Sequence, residues 1–99
     1  MENYISCVRF EAKESDLEQL EVRVKEFVLP KGARSHTVVK TGALSFCTFI
    51  HWDSERDLIN ARPEMISYLD TIRHLLKEIS PEIGVTDPVS GPVMHVHER

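Results

Sequence analysis

The sequence predicts an α+β fold of order β-α-β-β-α-β, in which a four-stranded antiparallel sheet carries two helices on one face. Three observations predict it: short runs of β-favouring residues that alternate in polarity, two longer stretches with apolar residues at helical spacing, and turn-forming residues between them. Ninety-nine residues, 41% hydrophobic and 28% charged, suit one globular domain over 1–99 and leave no room for two.

Tyr4 to Glu11 alternates as a first strand, with Ile5, Cys7 and Arg9 on one face and Tyr4, Ser6, Val8 and Phe10 on the other. Ser15-Asp16 offers a helix cap with Glu18 in capping-box position, and Leu17, Leu20, Val24, Phe27 and Val28 form an apolar stripe that Pro30 and Gly32 end. Ala33–Lys40 and Ala43–Trp52 read as a hairpin joined at Thr41-Gly42.

Ser54 caps a second helical region. Pro63 divides it on this reading into a short turn over Ser54–Ala61 and a helix starting at Pro63, with Met65, Ile66, Leu69, Ile72, Leu76 and Ile79 as its stripe. Ser80 to Pro92, with Gly84, Pro88 and Gly91, reads as irregular, and Val93–His97 alternates as the fourth strand.

With right-handed crossovers this order gives the ferredoxin-like split β-α-β arrangement, leaving one sheet face uncovered. In the third strand Leu44, Phe46, Ile50 and Trp52 point one way, and Ser45, Cys47 and Phe49 the other. A strand apolar on both sides is covered on both sides. The second cover is expected to be another copy of the chain, a homodimer closed through the open sheet face.

Twelve Lys and Arg against sixteen Asp and Glu give a net charge of −4, with no basic cluster, so neither nucleic acid nor a membrane surface is expected as a partner. No apolar run reaches membrane-spanning length, and Met1-Glu2-Asn3 lacks the basic start of a secretory signal; a cytoplasmic location is expected. Cys7 and Cys47 sit in apolar strand runs without a Cys-X-X-Cys partner and are expected to be free thiols.

The β-α-β-β-α-β order, with Phe49-Ile50-His51-Trp52-Asp53-Ser54-Glu55 at the end of strand three, resembles the antibiotic-biosynthesis-monooxygenase-like group of the dimeric α+β barrel superfamily. In that group a tryptophan closes the strand and a Ser-Glu pair opens the next helix. The resemblance implies the dimeric barrel fold and, as its leading activity, cofactor-independent monooxygenation of a small aromatic or quinol-like compound. It equally admits a non-catalytic ligand-binding or structural dimer. The haem-degrading branch has an Asn, a Trp and a His where this chain offers Cys7, Ala61 and only His74, so haem degradation is not expected.

Cofactor-free oxidation requires a base, a cation or donor for the oxyanion, and apolar walls. Arg9 and His51 are the expected catalytic pair, and Phe46, Phe49, Trp52, Met65 and Leu69 the expected substrate-binding residues of a cavity between sheet and helices. Which strand parity faces inward is not determined by the sequence. His36, His95 and His97 are further strand histidines. No metal site is expected, because nothing completes a ligand set around His95 and His97. Arg56, Asp57, Arg62 and Glu64 read as the solvated side of a helix.

Overall fold

A computed structural model describes residues 3–99. The strands are β1 (Tyr4–Glu11), β2 (Ala33–Lys40), β3 (Ser45–Trp52) and β4 (Asp87–Pro92), and the helices are α1 (Leu17–Lys25) and α2 (Glu55–Ile72). The sheet order is β2-β3-β1-β4 with every pairing antiparallel. Both helices lie on one face, as the split β-α-β order requires.

Burial follows the alternation of the strands. Tyr4, Ser6 and Phe10 of β1 and Phe46, Ile50 and Trp52 of β3 are buried on the helix side. Ile5, Cys7 and Arg9 pair with His51, Phe49 and Cys47 on the opposite, open side. The hairpin between β2 and β3 closes through the Thr41 N–H, which donates to the Ser45 carbonyl at 2.9 Å.

Two packed clusters make the core. Phe10, Ala12, Leu20, Phe46, Ile72, Leu75 and Leu76 form one, with the Phe10 and Phe46 rings stacked at 5.5 Å. Tyr4, Ile50, Trp52, Leu58 and Ala61 form the other. Trp52 is fully buried, and its indole N–H donates to Ser6 Oγ at 2.9 Å, so its buried donor is satisfied.

Three element boundaries depart from the sequence expectation. First, α2 runs unbroken through Pro63. Proline removes the N–H that would bond the Ile59 carbonyl, but Ile59 and Pro63 both lie on the exposed face, where a freed carbonyl is open to solvent. The Ser54 cap is present: Asp57 N–H donates to Ser54 Oγ at 3.3 Å, and Ser54 Oγ donates to Asp57 Oδ2 at 2.9 Å.

Second, the α-helix ends at Ile72. A single 3-10 turn over Arg73–Leu75 follows, and Leu76 then pairs with Ala12 as an isolated bridge. Leu76 is buried through that bridge rather than through a helical stripe, and Ile79 belongs to a turn in which Gly84 N–H donates to the Ser80 carbonyl at 2.8 Å. At the other helix, Glu14–Asp16 forms a 3-10 turn before α1, and Asp16 makes no side-chain capping bond.

Third, the fourth strand is Asp87–Pro92, inside the stretch expected to be irregular, and Val93–His97 lies beyond it. The strand is at the sheet edge and bonds only to β1, so Pro88 and Pro92 need donate no ladder hydrogen bond on their outer side.

Candidate functional site

Between the sheet and the helices lies a cavity of about 530 Å³, bounded by members of both core clusters. Its floor is Ser6, Val8 and Phe10 of β1, Thr48 and Ile50 of β3, and His36 of β2. These positions share the helix-side parity, since His36 pairs with Ile50, and Ser6 does likewise. The roof comes from α2, through Leu58, Arg62, Met65, Ile66, Leu69 and Ile72. That set has helical one-face spacing, so a single stripe of α2 supplies it.

One wall is aromatic. Tyr68 meets Phe27 edge-on at 4.9 Å between centroids, and Phe27 meets His36 at 4.4 Å with planes tilted by 48°. The Tyr68 hydroxyl donates to the Arg23 carbonyl at 3.1 Å, which ties α2 to the end of α1 and commits the phenolic proton to the backbone. Burial raises the Tyr68 pKa, Arg23 lowers it and Glu26 raises it, with an upward net shift, so the phenol stays protonated near neutral pH.

His36 is half-buried, and burial lowers its pKa below the ordinary 6.5. At neutral pH it is therefore an uncharged imidazole able to accept a proton from a group inside the cavity. It also lines a second groove of about 580 Å³, together with Val24 and Phe27, where Glu21, Lys25 and Lys40 are found. Lys40 Nζ donates to Glu21 Oε2 there at 3.1 Å.

The expected site residues separate into two groups. Met65 and Leu69 line the cavity, as expected. Phe46 faces the same side but stacks on Phe10 and borders the second groove, and Trp52 is enclosed by its own cluster and borders neither space. Arg9, His51 and Phe49 have the opposite parity and lie on the open face, so their expected place in the cavity is corrected. Arg9 is instead ion-paired to Asp87 of the edge strand, with its Nε 3.1 Å from Asp87 Oδ2. Nε2 of His51 is buried without a hydrogen-bond partner among the described residues.

Among the polar residues lining the cavity that the expected set of site residues did not contain are His36, Tyr68 and Arg62. For His36 the deciding signal is its pairing with Ile50, past a register shift between Ala33 and Ser35, which the sequence alone does not show. For Arg62 it was the spacing Leu58-Arg62-Met65, which places a cation in an apolar stripe rather than on the solvated side. Among the described residues no group of three or more His, Cys, Asp or Glu converges as a metal site. Burial, with Cys47 next to it, raises the Cys7 pKa, so that thiol stays protonated on the open face.

The fold is the ferredoxin-like α+β arrangement, and solved structures share it over nearly the whole chain. A Deinococcus radiodurans protein assigned by name to those monooxygenases superposes with a TM-score of 0.77 at 13% identity, covering 97% of each chain. A dimeric ferredoxin-like protein from an uncultured marine organism gives 0.73 at 11% identity, covering 100% of this chain and 94% of that one. SnoaB, a cofactor-independent oxygenase from Streptomyces nogalater, gives 0.69 at 13% identity with 97% of each chain covered. No family model matches the sequence, and no curated protein does either.

Proposed function

We propose that the chain is a cofactor-independent monooxygenase of a small aromatic or quinol-like compound, working in the cavity beneath α2. The observation that carries this reading is His36: a neutral imidazole at one end of an aromatic wall, facing a largely apolar space. A quinol ring lies along Tyr68 and Phe27 with a hydroxyl toward His36, which takes its proton. The resulting anion is electron-rich enough to react with dioxygen, and exclusion of water protects it. A quinol and dioxygen give a hydroxyquinone and water, so the balance closes without an added reductant. Likeness to SnoaB, a cofactor-independent oxygenase of the same fold, supports the reading.

The working unit in this proposal is a homodimer closed through the open sheet face, like the dimeric marine protein of the same fold. That face presents Phe49, Val39 and Val89, which are 36%, 41% and 64% exposed. A second reading, a non-catalytic dimer that binds the same class of ligand, is favoured by one observation: no carboxylate among the described residues pairs with His36 to orient it. Oxygen uptake with a naphthohydroquinone separates the two. Uptake above the uncatalysed rate, lost in His36→Gln, supports the oxygenase; ligand binding with no added uptake supports the binding protein.

A further inference from the structure

The α2 stripe that roofs the cavity contains one residue out of keeping with it. Leu58, Met65, Ile66, Leu69 and Ile72 are apolar, yet Arg62 occupies the same face and lines the same space. Among the described residues it is the only Arg, Lys, Asp or Glu lining the cavity. Being both exposed and part of the lining, it stands at the mouth.

Arg9, Arg23, Arg34 and Arg73 are each ion-paired, to Asp87, Glu26, Asp53 and Asp70. No carboxylate among the described residues pairs with Arg62. An unpaired guanidinium beside an apolar cavity has its fork of donors free for a planar anion. One cation matches one negative charge, and no second cation lines the space, so the partner is a carboxylate rather than a doubly charged phosphate.

We propose that the cavity takes an aromatic acid, its carboxylate held by Arg62 at the mouth and its ring system lying along Tyr68, Phe27 and His36. This rests on the reading of the cavity as the substrate site and adds the chemical class that the site selects. Arg62 binds and orients the ligand without touching the carbon that reacts. The acid group thereby fixes which end of the ring enters first and so which hydroxyl meets His36.

The test is calorimetric titration of wild type, Arg62→Gln and Arg62→Lys with naphthoic acid, which has no hydroxyl to oxidise, and with naphthol, which has no carboxylate. Arg62 is exposed, so the variants fold, and circular dichroism checks this. In wild type the acid binds more tightly than the neutral ring. Arg62→Gln weakens the acid by about tenfold, as loss of one charge-assisted contact predicts, and leaves naphthol within about twofold. Arg62→Lys restores part of the loss, and added salt weakens the acid alone. Equal weakening of both probes, an unchanged acid affinity in Arg62→Gln, or no acid binding to wild type overturns the proposal. Oxygen uptake with naphthohydroquinone is measured in parallel: uptake without acid selectivity sinks the Arg62 assignment only, and acid selectivity without uptake sinks the oxygenase reading only.

Discussion

The ring of His36 lies 4.4 Å from that of Phe27, and the pair forms the boundary shared by the apolar cavity and the groove that holds Glu21 and Lys40. An imidazole in this position touches a largely apolar space on one side and a groove with charged side chains on the other. A proton accepted from the cavity therefore has a route out through the groove. His36→Gln keeps the shape of the wall but cannot take up a proton, and removing a general base costs about 10²- to 10⁴-fold in rate. Steady-state oxygen uptake should fall by that order while naphthol binding, read by calorimetry, is retained. Loss of binding in proportion to turnover would instead make His36 a packing residue.

The same histidine sets a pH dependence of stability. Its folded pKa is below 6.5, so the unfolded chain takes up the proton more readily than the native one. Its contribution to stability is thus complete above 6.5, declines as pH falls through that value, and levels off below the folded pKa. Urea unfolding at a series of pH values should show this decline in wild type and a smaller one in His36→Gln.

Trp52 and Ser6 carry a stability prediction rather than a catalytic one. The indole N–H has its partner in Ser6 Oγ at 2.9 Å, and Trp52 borders neither the cavity nor the groove. Ser6→Ala leaves a buried N–H without an acceptor and should cost about 1–3 kcal/mol in chemical denaturation. Trp52→Phe removes the donor and opens space as well, at a further cost of the order seen for partial loss of a large side chain, about 1–3 kcal/mol. Naphthol affinity of whatever fraction remains folded should be unchanged by Trp52→Phe, and a change would return Trp52 to the site.

Gly32 is the other point where one atom decides stability. Its φ of +89° lies in the left-handed region, and a Cβ there would sit 2.5 Å from Asp57 Cβ in the first turn of α2. The Gly32 carbonyl also accepts from Asp53 N–H at 3.0 Å, so the turn cannot easily move away. Gly32→Ala therefore meets both backbone strain and a clash with the Ser54–Asp57 cap. About 1–3 kcal/mol of destabilisation is expected, and an unchanged denaturation midpoint would show that the turn relaxes freely.

Element order was readable because alternation and helical spacing are local properties; β1 and β2 fall where their polarity patterns place them. The misplacement of β4 came from reading Pro88, Gly91 and Pro92 as breakers, when an edge strand needs hydrogen bonds on one side only. The break expected at Pro63 ignored which face of α2 it occupies. The site was less legible because a strand pattern defines two faces without saying which meets the helices. With both faces of β3 apolar, Phe46 and Phe49 looked equivalent, and His51 as available as His36. Parity is fixed by burial of Tyr4, Phe10 and Trp52 beneath the helices, a long-range property.

That parity gives the open face its own test. Phe49 is 36% exposed there, beside Cys7 and Thr37, whereas Phe46 is 6% exposed and stacked on Phe10. A charge at Phe46 would be buried in the core, so Phe46→Asp should unfold the chain, since an unpaired buried carboxylate costs several kcal/mol. A charge at Phe49 meets water in a monomer but is trapped when two sheets close face to face. Phe49→Asp should thus keep native circular dichroism and sediment as a monomer while wild type sediments as a dimer. Since the cavity lies wholly on the helix side, the monomeric variant should still bind naphthol, with affinity within about threefold of wild type if packing alone transmits the change. A wild type that sediments as a monomer, or a dimer unaffected by Phe49→Asp, would move the second copy off this face.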